Sequence, residues 1–190
     1  MNNSITNWKL LNILIGLVLI LAMVQGCKNN RRTQSPLFEQ LFRDDSTTFR
    51  GLDPGDSLGK VARLEDENMQ LFEDELGLSY RYFPYEGVEL LIDYHSDNLQ
   101  TEQQTDRVTS IVTNILMEDE VEIAKLYNEM QAYFNRKYGV SSGSYGDLRW
   151  NGITHHLTRM EVQLRLADSR NAITMNFVDT DPKSKPGISQ

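Results

Sequence analysis

The sequence predicts an α+β fold in which helices cover one face of an antiparallel sheet, or of two such sheets. Three observations lead there. Apolar and polar residues alternate with period two at Leu78–Tyr82, Val88–Tyr94, Met160–Leu166 and Ile173–Phe177, the mark of strands with one wet side. Two other stretches, near residues 58–64 and 123–138, carry helical spacing instead. The order helix, then three strands, runs through residues 49–116 and again through 117–180, which suggests a tandem unit.

Taken from the start, the first 26 residues hold Lys9 and no acid, then the apolar run Leu10–Val24. A helix of that length reaches about 22 Å, short of the roughly 30 Å of a bilayer's hydrocarbon core. Positive start, short apolar run and small residue before a cut are the order of a signal peptide. Val24-Gln25-Gly26-Cys27 resembles the bacterial lipobox. That resemblance implies cleavage between Gly26 and Cys27, diacylglycerol on the Cys27 sulfur and acylation of the new amino terminus, and two or more acyl chains hold a protein stably on a membrane. The competing reading is an uncleaved membrane helix, which Lys28, Arg31 and Arg32 favour because positive charge after a span stays on the cytoplasmic side. Cys27 is the only cysteine, so the chain has no internal disulfide and no thiol-based zinc site.

Residues 27–48 read as a lipidated tether of polar composition. Leu37, Phe38, Leu41 and Phe42 interrupt it with the spacing of a short helical face. That face either docks on the protein's own body or binds a partner.

In the first half, Leu58, Val61, Ala62 and Leu64 mark a short helix capped by Asp56 or Ser57. Residues 65–74 read as an acidic connection. Strands follow at Leu78–Tyr82 and Val88–Tyr94 around a turn at Glu86-Gly87, then a polar loop over 97–104 and a strand over 107–116. In the second half, Asp119 and Glu122 cap a helix carrying Ile123, Leu126, Tyr127, Met130, Phe134 and Tyr138 on its apolar face, with Gly139 as its stop. A short strand holds Leu148 and Trp150, and Asn151-Gly152 signals a hairpin turn. The next strand runs to Leu166 with a bulge near Thr158, and Ile173, Met175 and Phe177 form the last. Residues 181–190 read as a disordered tail.

Gly55-Asp56-Ser57-Leu58-Gly59-Lys60-Val61 resembles the opening motif of the small BamE/SmpA outer-membrane lipoproteins. The doubled helix–sheet order resembles the β-lactamase-inhibitor-protein-like architecture, and the whole pattern is similar to lipoproteins of gut-type Bacteroidota. These resemblances imply action by binding other proteins rather than by catalysis.

Residues that could carry chemistry are few. Gly139-Val140-Ser141-Ser142-Gly143 matches the Gly-x-Ser-x-Gly hydrolase pattern, but that serine must sit on a strand-to-helix elbow, and here a helix precedes and a strand follows. His155 and His156, placed on a strand, point to opposite faces and cannot grip one metal. His95 shares a face with Asp93, a surface pairing rather than a catalytic one. The groups Glu65-Asp66-Glu67 and Glu73-Asp74-Glu75 lack the interleaved glycine of a calcium loop and read as solvated acid. No catalytic residue, metal or cofactor is expected beyond the lipid on Cys27. Phe83, Tyr85 and Leu91 break the inward parity of their strands, and together suggest an exposed apolar patch for a partner.

Net charge is −8. Removing residues 1–26 takes away one lysine and no acid, which makes it −9. Such a balance argues against nucleic acid and against anionic lipid as partners. The expectation is therefore a non-enzymatic envelope lipoprotein on the periplasmic face of the outer membrane, held by lipid and binding another envelope protein. Lys28 after the cysteine, in place of the aspartate that retains lipoproteins at the inner membrane of enteric bacteria, favours that membrane. An inhibitor or sequestering protein is the first alternative, and a small-ligand binder or enzyme the second.

Overall fold

The computed structural model describes residues 34–65, 69–74, 77–96, 107–169 and 171–181. Cys27, Gly26, the apolar run before them, the loop at 97–104 and the tail beyond 181 lie outside the described residues. Among the described residues, no helix is long and apolar enough to cross a membrane.

The body, which begins at Ser35, is α+β and mostly sheet. Its helices are α1 (Pro36–Leu41), α2 (Leu58–Leu64) and α3 (Glu120–Tyr138). Its strands are β1 (Gln70–Asp74), β2 (Gly77–Tyr85), β3 (Val88–Ser96), β4 (Val108–Met117), β5 (Ser142–Ser144), β6 (Asp147–Ile153), β7 (Arg159–Leu166) and β8 (Ala172–Asp179). All eight form one antiparallel sheet in the order β1-β2-β3-β4-β8-β7-β6-β5. The two halves of the chain therefore share one sheet, joined where β4 pairs with β8.

Register explains the core. Tyr94, Ile111, Phe177, Val162 and Trp150 stand opposite one another across five strands, and all are buried. The next row on that face, Ile92, Thr113, Met175, Leu164 and Leu148, is buried as well. Positions between these rows face the other way, and all but Val112 are polar: Asp93, Asn176, Gln163 and Arg149. The period-two reading of the sequence thus holds, with one face packed and one wet.

Helix α3 covers the packed face, lying across β4, β6 and β8. Asp119 caps it by accepting the N–H groups of Val121 (2.8 Å) and Glu122 (3.1 Å), and Gly139 ends it at φ 91°. Ile123, Leu126, Tyr127, Met130 and Phe134 are buried as their spacing predicts. In α2 the cap is Ser57, whose hydroxyl accepts the Lys60 N–H at 3.2 Å, and Val61 is the side chain it buries.

Four expectations need correction. The first concerns residues 35–48, assigned to the tether. Leu37, Phe38, Leu41 and Phe42 are all buried in the core, and Phe42 packs against Phe49, Tyr133 and Phe134. Ser35 ties this segment to α3 by donating its hydroxyl to Glu129 at 2.7 Å. The helical face read at these four residues docks on the protein's own body, one of the two readings its spacing leaves open, and completes the core.

The second concerns the acidic connection at 65–74. Its last part is the edge strand β1, paired in register with β2. Its first residue, Glu65, is buried rather than solvated: the Arg50 guanidinium lies 2.8 Å away, and the Tyr94 hydroxyl donates to Glu65. A carboxylate is tolerated there because a cation and a hydroxyl donor meet it.

The third concerns Asn151-Gly152, which is no turn. Strand β6 runs straight through it, and Asn151 and Gly152 stand opposite Glu161 and Met160 of β7 within the ladder. A Cβ on Gly152 would stand 2.8 Å from the Tyr138 ring, so glycine is there to admit that ring. The hairpin turns three residues later, at Thr154–Thr158.

The fourth concerns Ser142–Ser144, a stretch given no strand ahead of the one that holds Leu148 and Trp150. It forms the short edge strand β5 against β6. A helix does precede Ser141 and a strand does follow, so the hydrolase elbow is absent from this stretch.

Candidate functional site

The predicted partner surface is divided by a bulge. Tyr82 pairs with Leu90 and Tyr85 with Val88, so β2 spends one more residue than β3 between these pairs. The extra residue returns Tyr85 to the face of buried Val88, while Leu91, opposite Arg81, stays on the wet face. Phe83 lies under the Arg81 guanidinium, 5.1 Å from its ring centre. Phe83 and Tyr85 are 54% and 45% exposed, and both line an open groove of about 750 Å³ at this end of the sheet. Leu91 is half-buried and does not line it. Leu116 adds apolar surface, and Glu86, Glu89, Glu118 and Glu120 supply carboxylates. Burial, with the nearby Glu122 carboxylate, holds the Tyr85 hydroxyl above the ordinary phenol range. The groove is thus aromatic at its centre and anionic at its margin.

A second constellation lies elsewhere, where two turns meet. Asp53-Pro54-Gly55-Asp56 closes a turn through the Asp56 N–H and the Asp53 carbonyl at 3.1 Å, with Gly55 at φ 100°. Proline at its second position and a positive-φ glycine at its third make it type II. The facing turn is Thr154–Thr158. The Leu157 N–H bonds the Thr154 carbonyl at 3.0 Å, and Leu157 itself sits at φ 61°. This is a turn, not a strand, so the expected divergence of His155 and His156 does not occur. Their ring centres are 3.8 Å apart, and both rings reach the carboxylates of the first turn. That corrects the reading of the pair as unable to converge.

The contacts are specific. His155 Nδ1 bonds Asp53 Oδ2, and its Nε2 lies 3.8 Å from Asp56 Oδ1. His156 Nε2 lies 3.0 Å from the same Asp56 oxygen. Lys60 donates to the other one, Oδ2, at 2.8 Å, as does the Asp53 N–H. Asp53 Oδ1 accepts the N–H of Thr48 at 2.8 Å and the Thr48 hydroxyl. Both carboxylates are buried, and the two imidazoles are partly open to solvent. Burial by itself would raise the Asp56 carboxyl; the hydrogen bonds from Lys60, the Asp53 N–H and His156 outweigh it and hold the group below its ordinary range. Gly55 has a steric role too, since a Cβ there would stand 2.9 Å from the His156 ring.

No family model, curated protein or solved structure matches the chain. The two constellations therefore stand on their own chemistry.

His95 sits on the wet face, where its Nδ1 meets Ser110 Oγ at 3.3 Å. Read along the chain, Asp53 goes unmarked and Asp56 reads only as a helix cap. The available signal was the Asp-Pro-Gly-Asp run, whose type II geometry brings its two outer carboxylates together. Nothing in the sequence shows that residues 53–56 meet residues 155–156.

Proposed function

We propose that this chain is a lipid-anchored envelope protein that works by binding, not by catalysis. Its groove at Phe83 and Tyr85 holds an apolar segment of another envelope protein that also carries lysine or arginine. The observation that carries this reading is the composition of the groove: exposed aromatic rings bordered by Glu86, Glu89, Glu118 and Glu120. Aromatic anchors in a concave surface contribute most of the binding energy at interfaces. Glu89 is already paired with Arg81, so Glu86, Glu118 and Glu120 are the carboxylates that select a basic partner and speed its approach.

The lipobox at Val24–Cys27 supports the anchor, with cleavage after Gly26, lipid on Cys27 and residence on the periplasmic face of the outer membrane. The order of elements supports kinship between the two halves: α2 precedes four strands, α3 precedes four, and the last strand of each set meets at the centre of the sheet.

The test is mild cross-linking in native membranes, followed by mass spectrometry of what is captured. One reproducible envelope protein is expected, its cross-linked peptide bearing basic and apolar residues. Phe83→Ala with Tyr85→Ala is expected to reduce capture at least about tenfold, the loss that truncating a single interface anchor brings. Capture that survives the double substitution unchanged would remove the groove from the reading.

A further inference from the structure

We propose that Asp56, His155 and His156 bind one divalent first-row transition-metal ion, of the chemistry of zinc(II). One donor atom from each residue can be chosen so that all three lie within 4.8 Å of one another. Around zinc, bonds of about 2.0–2.1 Å at tetrahedral angles set donor atoms roughly 3.4 Å apart. The separations from Asp56 Oδ1, 3.0 Å to His156 Nε2 and 3.8 Å to His155 Nε2, fall on either side of that value. Modest rotation of two partly exposed imidazoles closes the difference.

The surroundings are arranged as metal ligands require. His155 Nδ1 is held by the buried Asp53 carboxylate, which fixes the proton on that nitrogen and leaves the Nε2 lone pair free to coordinate. Asp53 is itself fixed by Thr48. Asp56 is oriented by Lys60 and by the Asp53 N–H on Oδ2, which leaves Oδ1 toward the two imidazoles. A carboxylate on the remote nitrogen of a ligating histidine is the usual outer support of such sites. Two carboxylates against one ammonium leave the cluster anionic, which suits a dication. Two imidazole donors select zinc and its neighbours over magnesium and calcium, which take oxygen ligands. Three protein donors leave a fourth position for water or for a donor atom of another molecule. The ion would join the 53–56 turn to the β6–β7 hairpin, residues about a hundred positions apart in the chain.

The test uses the full chain carrying Cys27→Ser, purified in detergent without a polyhistidine tag, so that neither a thiol nor a tag competes for metal. Calorimetric titration with zinc chloride is expected to show one ion per chain. Cobalt(II) should give the visible absorption of a low-symmetry nitrogen–oxygen site. His156→Gln is expected to weaken zinc binding by more than about 100-fold. Asp53→Asn, which leaves all three ligands, should weaken it about 10–100-fold with one ion still bound. His155→Gln keeps the His156–Asp56 contact and is the second ligand variant should His156→Gln fail to fold. Thermal melts separate metal binding from a simple ion-pair staple: zinc should raise the midpoint of the unsubstituted Cys27→Ser chain and not that of a ligand variant. Absence of saturable one-to-one binding to that chain, or equal zinc affinity in it and a folded ligand variant, would overturn the proposal. Loss of stability in the ligand variants with no zinc response in the parent chain would do so as well, and would identify the cluster as a staple.

Discussion

Arg50 and Glu65 are each about 1% exposed at the side chain and lie 2.8 Å apart, with Tyr94 donating to the same carboxylate. Removing one member of a buried pair strands the other charge away from water, which costs far more than the pair's net contribution. Glu65→Ala is therefore expected to lower the unfolding free energy by about 3–5 kcal/mol in urea denaturation. Replacing Arg50 and Glu65 together by leucine should recover most of that loss, because no charge is left unpaired. A single substitution that left the urea midpoint in place would show the pair to be solvated. The same reasoning explains Asp53 and Asp56. Their carboxylates are buried at bearable cost because backbone N–H groups, Thr48, Lys60 and two histidines meet every oxygen.

At the scale of elements, α1 matters more than its six residues suggest. Isolated helices of this length do not hold in water, so tertiary packing must stabilise it. Phe38 packs edge-on to Tyr133, 5.5 Å between ring centres, and lies 4.8 Å from Phe42. Phe38→Ala would leave a hole between α1 and α3, at a cost of about 3–5 kcal/mol. Against the 5–15 kcal/mol that holds a typical domain, that is a large share. Chemical denaturation of the variant checks this. A loss under about 1 kcal/mol, the range of a surface change, would mean that α1 is an accessory and not part of the core. The spacing of Leu37, Phe38, Leu41 and Phe42 made the helix legible in the sequence. Its destination was not, since the same amphipathic face suits the protein's own sheet or another molecule.

The molecule as a whole carries buried or half-buried phenols from both halves. Burial raises the Tyr138 hydroxyl to about 12, only partly offset by a hydrogen bond with Thr48. Burial raises Tyr133 further, and Tyr94 well above the ordinary range. An unfolded tyrosine ionises near 10. The native state therefore keeps protons that the unfolded state gives up, so the stabilisation is fully present below about pH 10 and is lost as pH rises from there to about 12. The urea midpoint is expected to fall through that window, and Tyr138→Phe should make the fall shallower. A midpoint that stays level from about pH 9 to about pH 12 would contradict the assignment of these phenols to the interior. Because β4 and β8 pair at the centre of one sheet, the two halves are expected to unfold together in this transition.

The sequence by itself determined the elements with strong local signals. Period-two alternation marked the paired faces of β3, β7 and β8. An aspartate cap, a helical stripe and a terminal glycine marked α3 almost to the residue. These features depend on neighbours a few positions away, so they can be read along the chain. Only the tertiary structure decided the rest. It put Gly152 under the Tyr138 ring instead of in a turn, and it paired Glu65 with Arg50 instead of with solvent. It shifted Tyr85 off the face of Leu91 by one bulged residue, and it brought His155 and His156 to Asp53 and Asp56. Most of these outcomes depend on contacts between residues distant in the chain, and such contacts leave no period, cap or composition in the residues that make them.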